Sequence, residues 1–344
     1  MTELSNVLIT GGNGVLGSSL AKEFLLKGSN VTVSEIVRRD ESWRLEVLNV
    51  VDEVQYMWKS SLDLRPEDLR GIDLVIDTAI GFPDRPFCSD SPKSTMEMNI
   101  GPALGLLESV RHLDRKPLLI YPSSFNSLYG SFGTYTESTS PNPASIYGWT
   151  KASVEQLYWT YHRSYGIPII ITRVGSGFGE RMRTDELVAK LILSAVRRQR
   201  FVMKSPNSSR MWTYLKDVVN AYLRIAEICD YGRSLELAET LDTRSEVINV
   251  AGNLSDKIVK NLELAEIIKG ITGGYPEVVP SNQYEPGELL NGVPVNFGFD
   301  GEASRTLLGW SPMFTLEEGL AKTFEWFSDH IANIGKMGVE RNDG

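Results

Sequence analysis

Asn6-Val7-Leu8-Ile9-Thr10-Gly11-Gly12-Asn13-Gly14-Val15-Leu16-Gly17 is a short apolar run that breaks into glycines and resumes as a helical pattern through Leu20, Phe24 and Leu25. An apolar run of that length predicts a strand, and the spacing beyond it predicts a helix. Glycines let the backbone turn sharply and approach a pyrophosphate, while the free N–H groups at a helix start attract its negative charge. An ordinary glycine turn is the plain alternative. Strand, turn and helix in this order favour a dinucleotide site built on Gly11, Gly14, Val15, Leu16 and Gly17.

Working outward, Asn30–Glu35 reads as a second strand, with Glu35 at its end. A carboxylate there accepts hydrogen bonds from both adenosine ribose hydroxyls and repels a 2′-phosphate, which favours NAD over NADP. Arg38 and Arg39 follow closely and keep NADP as the alternative. Val54–Lys59 predicts a third strand, with Asp63-Leu64 after it. Asp73–Thr78 predicts a fourth, running into Thr78-Ala79-Ile80-Gly81, whose small residues let a cofactor lie against the strand ends. A helix over Lys93–Val110 carries Asn99, and Lys116–Tyr121 predicts a fifth strand. Strands alternating with helices imply an α/β fold with a doubly wound parallel sheet of the Rossmann type, its ligands at the carboxyl ends of the strands.

The fifth strand delivers Ser124 to that edge, just past its end. Counting back from Tyr129-Gly130 would put Phe125 there instead; the strand count is the one adopted. The following helix opens on Tyr147-Gly148-Trp149-Thr150-Lys151. Residues four apart share a helix face, so the phenol and the ammonium can serve one site. A free tyrosine titrates near about pH 10, and an adjacent positive charge favours its anion, which suits Tyr147 to general acid/base work. Gly166-Ile167-Pro168 ends this helix, and Ile167–Arg173 is the sixth strand. Helices are expected over Asp185–Arg198, over Leu215–Cys229, over Leu262–Ile268 with Asn261 as cap, and from Leu316 onward. Phe201–Lys204 and Val247–Ala251 are expected strands. The economical division is a Rossmann domain over 1–175, to which 211–255 partly returns, and a smaller, discontinuous substrate lobe over 176–210 and 256–344.

The 344 residues are 42% hydrophobic, enough for a sizeable core. A net charge of -9 and a pI near 5.1 disfavour nucleic acid and anionic membranes as partners. Cys88 and Cys229 are isolated and lack metal-ligand spacing, so neither a disulfide framework nor a metal site is expected. There is no signal-peptide pattern at Met1–Ser5 and no apolar run of the roughly 20 residues a membrane span needs. A cytoplasmic location is the expectation. Gly81–Pro92 and Gly130–Ser145 read as long loops, usually functional in a compact domain.

With these residues in place, the chain resembles the extended short-chain dehydrogenase/reductases of the NAD-dependent epimerase/dehydratase family, typified by UDP-galactose 4-epimerase. The resemblance rests on Thr10 to Gly17, on Tyr147-x-x-x-Lys151, on Arg210-Met211-Trp212-Thr213-Tyr214-Leu215-Lys216-Asp217, on Asn249-Val250-Ala251-Gly252 and on Leu308-Gly309-Trp310-x-Pro312. It implies Tyr147 as base, Lys151 on the nicotinamide ribose, and Ser124 orienting the reacting hydroxyl. It further implies Asp63 and Leu64 at the adenine, Glu35 at the adenosine ribose, and Ala79 with Asn99 along the middle of the cofactor. Thr78, Ile80, Arg38 and Val174 are taken as further cofactor neighbours. Arg210 matches an arginine that faces the diphosphate of a nucleotide sugar, and a structural ion pair is its alternative. Ser176 stands where the family commonly has an asparagine on the substrate phosphate, and Met211 where it favours aspartate. A two-fold homodimer through the helices at Lys93–Val110 and Tyr147–Tyr165 is also implied.

Sugar 4,6-dehydratases of the family carry Asp-Glu after the catalytic serine or threonine; here Phe125-Asn126 follows Ser124. Neither side chain moves protons, which disfavours dehydration and the decarboxylating branch. Epimerisation of a nucleotide sugar with NAD retained is the expectation. Net dehydrogenation or reduction of a sugar or sugar acid is the alternative within the enzymes, and a non-catalytic dinucleotide sensor is the alternative outside them. Thr134, Arg181, Tyr284 and the Pro83–Pro92 segment are the loop residues expected to choose the sugar.

Overall fold

The computed structural model describes residues 5–81, 91–128, 130–229, 231–244, 247–285, 287–332 and 334. In chain order the first half runs β1 (Asn6–Thr10), α1 (Val15–Leu26), β2 (Asn30–Glu35), α2 (Trp43–Val47), β3 (Gln55–Trp58), β4 (Leu74–Asp77), α3 (Pro92–Arg111), β5 (Leu118–Ser124), β6 (Gly133–Tyr135), α4 (Ile146–Tyr165) and β7 (Ile169–Val174). Next come β8 (Ser176–Phe178), α5 (Leu187–Val196), β9 (Arg200–Met203), β10 (Ser209–Tyr214), α6 (Leu215–Ile228), α7 (Tyr231–Arg244) and β11 (Ile248–Val250). The chain closes with β12 (Ile258–Lys260), α8 (Asn261–Ile271), β13 (Glu277–Pro280), β14 (Leu289–Leu290), β15 (Val293–Pro294), β16 (Asn296–Phe299), α9 (Glu302–Leu308) and α10 (Leu316–His330).

Seven strands form one parallel sheet in the order β11-β7-β5-β4-β1-β2-β3. Leu74, Val75, Ile76, Leu118, Leu119 and Ile120 are buried, as strands covered by helices on both faces must be. Strand order reverses between β1 and β4, and a crevice opens at such a switch point. Register brings Thr10 level with both Ser34 and Asp77, so the chain leaves β1, β2 and β4 at one edge. That edge gathers Gly11, Glu35 and Thr78.

The other lobe is built on the sheet β12-β10-β16-β6, with β8 also pairing β10. Its core packs Val188, Ile192, Leu264, Ile268, Leu320 and Phe327 from α5, α8 and α10. β6 leaves the chain between β5 and α4 yet pairs β16, with Thr134 opposite Gly298. Asp300 N–H and Asn249 Nδ2–H both donate to the Tyr135 carbonyl, which ties that strand down further.

Several expectations need correction. β5 runs through Ser124 instead of ending at Tyr121, because its pairing with β7 continues from Tyr121↔Ile171 to Ser124↔Val174 and overrides the weak strand preference of Pro122-Ser123-Ser124. Asn261 lies inside α8. The cap position is Lys260, whose N–H donates to Glu263, while Asn261 Nδ2 donates to the Ser205 carbonyl. α7, α9 and, apart from β9, which answers the expected strand Phe201–Lys204, the short strands of the second lobe were not anticipated. Of Val154, Leu157, Tyr161 and Tyr165, which recur at helical spacing along α4, only Tyr165 is exposed. Residues 82–90 of the two expected loops lie outside the described residues.

Candidate active site

The glycine turn has the shape that close approach demands. Gly11 sits at φ +64, and a Cβ on it would meet Ala79 Cα at 2.8 Å. A Cβ on Gly17 would meet the Gly11 carbonyl at 2.3 Å and Thr78 Oγ1 at 2.8 Å. Thr78 Oγ1 donates to the Thr10 carbonyl at 2.5 Å, which locks the end of β4 to the turn. Gly14 occupies the N-cap of α1 with no side-chain cap, and no acidic residue stands in the first turn. The opening N–H groups of α1, those of Val15 and Leu16, therefore have no intrahelical partner and carry the positive end of the helix dipole. A pyrophosphate fits this cradle.

Glu35 accepts from Asn13 N–H at 2.9 Å and from Ile36 N–H at 2.9 Å, so its carboxylate is fixed beside the turn with lone pairs to spare. Asn99 braces the end of β4. Its Oδ1 accepts from Gly81 N–H, and its Nδ2 donates to the Gly81 and Thr95 carbonyls. Leu64 is buried in the core, Asp63 is exposed, and Arg38 pairs with Asp40 at the surface. Ala79 and Ile80 are half-buried at the strand edge, and Val174 lies opposite Ser124.

Ser145 caps α4 by accepting from Gly148 N–H at 3.0 Å, and Gly166 closes the helix at φ +64. A Cβ on Gly148 would come within 2.2 Å of the Asn126 carbonyl, so this glycine allows the short turn after β5 to lie against the first turn of α4. The turn's first residues hold Ser124 in place, its Oγ accepting from Asn126 N–H at 3.2 Å and from Nδ2 at 3.1 Å. Tyr147 is buried at the start of α4, and Lys151 is buried one turn later. Lys151 Nζ donates to the Pro122 carbonyl at 2.7 Å and rests 4.6 Å above the Tyr121 ring. Burial pulls its pKa down to about 8, against the opposing pull of Asp77 and Glu155.

Across the crevice, Ser176 stands opposite Trp212 in the β8–β10 pairing. Ser176 Oγ and Trp212 Nε1 are both buried without a hydrogen-bond partner, an unusual condition that marks a place for an outside polar group. Arg210 Nη2 donates to both carboxylate oxygens of Glu288 at 2.5 Å, so the ion-pair alternative for Arg210 is realised. Over the glycine turn, Arg44 Nη1 donates to the Asn13 carbonyl and Arg44 Nε to the Arg181 carbonyl, while Arg181 Nη2 donates to Ser19 Oγ. Burial first, and then the charges of Arg181 and Arg183, lower the Arg44 pKa to about 10.

Arg44, Trp212 and Glu288 were not foreseen as site residues. Trp212 lay within a recognised segment, but no local spacing points to Arg44 or Glu288. Thr134 is exposed on β6, and Tyr284 lies within 3.5 Å of Asn207 Nδ2. No group of three potential metal ligands occurs among the described residues. No helix among them is long and apolar enough to cross a membrane.

Residues 7–251 match the profile of the NAD dependent epimerase/dehydratase family. The chain is 24% identical over 360 residues to a dTDP-glucose 4,6-dehydratase of Neisseria gonorrhoeae, covering 94% of this chain and 96% of that protein. Its fold is similar to that of UDP-glucuronic acid 4-epimerase from Bacillus cereus in complex with NAD, with a TM-score of 0.78, 23% identity, and 96% and 98% of the two chains covered. It is similar also to a dTDP-glucose 4,6-dehydratase from Streptomyces venezuelae with NAD bound, with a TM-score of 0.79, 20% identity, and 97% and 100% covered. The glycine cradle, the parallel sheet and the extent of the family match agree: the chain belongs to the NAD dependent epimerase/dehydratase family and is an NAD-dependent enzyme.

Proposed function

We propose that the protein is a nucleotide-sugar epimerase that oxidises a sugar hydroxyl to a transient ketone and returns hydride to the other face. The observation that supports epimerisation most is the pair of residues after Ser124. Phe125 stacks on Phe297 at 5.3 Å, and Asn126 spends its side chain on Ser124, so neither moves a proton. NAD, when bound, supplies the hydride acceptor. Tyr147 takes the hydroxyl proton and later gives it back. Lys151 has one N–H on Pro122 and two more to offer the nicotinamide ribose, and its charge beside Tyr147 favours the phenolate. Ser124 accepts two N–H groups and keeps its own proton for the reacting oxygen.

In the same reading the pyrophosphate rests on Gly11, Gly14, Val15, Leu16 and Gly17, the adenosine ribose on Glu35, and the middle of the cofactor along Thr78, Ala79, Ile80 and Val174. Asn99 supports that loop. Asp63, Leu64 and Arg38 border the adenosine end. Ser176 and Trp212 offer buried polar groups to the substrate, and Arg210 meets its diphosphate after leaving Glu288. The side-by-side helices α3 and α4 expose Met98, Leu104, Trp149 and Tyr165, apolar surface for a homodimer that sedimentation would detect.

The test is incubation with UDP-, dTDP- and GDP-sugars, following sugar isomers together with nicotinamide absorbance. New isomers without net absorbance change support epimerisation; net reduction or a deoxy-keto product overturns it. Tyr147→Phe is expected to lower turnover by about 10²–10⁴-fold while NAD stays bound. A non-catalytic sensor would scarcely respond.

A further inference from the structure

Four charged side chains are buried around the inner face of α4: Asp77, Lys151, Glu155 and Arg173. Two of them satisfy each other. Arg173 Nη2 meets Glu155 Oε2 at 2.8 Å and Arg173 Nε meets Oε1 at 3.1 Å, while Ser123 Oγ donates to Oε1 and Arg173 Nη1 to the Thr139 carbonyl. That pair is closed and has little net charge to lend. The remaining cation is Lys151 and the remaining anion is Asp77.

The hydrogen bonds around Asp77 favour its charged form against the effect of burial. Thr10 Oγ1 donates to Asp77 Oδ1 at 2.5 Å and itself accepts from Ala79 N–H. Tyr158 OH donates to Asp77 Oδ2 at 2.6 Å. Each hydroxyl gives its single proton to a different carboxylate oxygen, and donors aimed at both oxygens favour the ionised form. Tyr158 also stacks on Tyr121, with ring centroids 4.7 Å apart, and the Tyr121 face carries the Lys151 ammonium. Anion and cation thus sit at the two ends of one stacked tyrosine pair.

We propose that Asp77 is a positioning residue for the reaction, the buried anion that keeps Lys151 protonated and seated beside Tyr147. This rests on the catalytic reading of Lys151 given above. The groups acting on Lys151 are Asp77 from β4, the Tyr121 ring from β5 and Glu155 from α4, with Arg173 from β7 paired to Glu155 and Tyr158 from α4 bonded to Asp77. Among them Asp77 contributes the largest upward pull on the lysine pKa, against the dominant effect of burial. Burial also pushes the Asp77 carboxyl up, and the two hydroxyl donors and the Lys151 charge hold it back. Asp77 is the buried last residue of a strand otherwise composed of Leu74, Val75 and Ile76, where a carboxylate is costly unless it answers another charge.

The experiment is an NMR titration of the full-length protein with isotope-labelled lysine, with and without NAD, the Lys151 signal being assigned through Lys151→Met. In Asp77→Asn the Lys151 midpoint is expected to fall by about one pH unit or more, the size of effect a nearby buried charge exerts. The alkaline limb of the turnover profile should move down with it. Loss of thermal stability with an unchanged Lys151 midpoint would overturn the proposal. Should Asp77→Asn not fold, the double variant Thr10→Val/Tyr158→Phe strips both O–H donors from the carboxylate and favours its neutral form. Its Lys151 midpoint is then the deciding value, a fall supporting the proposal and no change overturning it. The titration needs no turnover, so failure of the epimerase reading would appear separately, as net nicotinamide reduction or a deoxy-keto product.

Discussion

Two buried arginine–glutamate pairs sit on opposite sides of the crevice, and they are built differently. Glu155–Arg173 has side chains 2% and 4% exposed, and both oxygens and three guanidinium nitrogens are occupied by different partners on α4, β5, β7 and the preceding loop. Glu288–Arg210 is 12% and 10% exposed, and a single nitrogen, Nη2, serves both carboxylate oxygens. The first pair fastens the helix of Tyr147 and Lys151 to two central strands. The second joins β10 to the residue just before the two-residue strand β14, and under the proposed function its carboxylate would stand in for a substrate anion. One pair is a weld and the other a latch.

Breaking the weld should have the largest effect. Arg173→Met leaves Glu155 buried and unpaired, and is expected to cost about 3–5 kcal/mol in denaturant unfolding, with much of it regained in Arg173→Met/Glu155→Leu. The next effect belongs to Lys151 on the same side. Its pKa is lowered in the folded protein, so above pH 8 the unfolded chain binds the proton more tightly and stability rises with pH. Between pH 8 and the free-lysine value near about 10.4, that contribution is on the order of 3 kcal/mol, and Lys151→Met should flatten it in pH-resolved unfolding. Turnover should fall across the same window as the ammonium is lost. On the latch side, Glu288→Gln is expected to tighten UDP binding by about tenfold in calorimetry, because a neutral amide competes less well for a guanidinium. Unchanged or weaker binding would mean that the two pairs play the same structural part. Lys27–Glu227, exposed by 56% and 39%, is the control in water, and its loss should cost under about 1 kcal/mol.

What could be read from sequence follows the same division. The glycine turn, Glu35 and the strands from Asn6 to Val174 announce themselves locally, because each strand is an apolar run and each turn has its own chemistry. Tyr147 and Lys151 are one helical turn apart, so their meeting is local too. The second lobe is stitched from strands of two to six residues, most of whose partners lie far along the chain, as those of β6 and β16 do. No periodicity survives in such short pieces. Asp77 was legible as a strand residue but not as a counter-charge, since its meaning depends on Thr10 and Tyr158, distant neighbours brought close only by folding. Glu288 was hidden for the same reason, and with it the paired state of Arg210.

The excursion of β6 has a mechanical outcome. The chain that links Ser124 to Tyr147 is sewn by Gly133–Tyr135 into the neighbouring lobe's sheet, so the crevice cannot gape like a hinged jaw without tugging on the segment between serine and phenol. The floor between the two reacting side chains is thereby held taut from both lobes. The proposed epimerisation would gain from such a floor, because the reacting groups would keep their spacing while the sugar alone turned over.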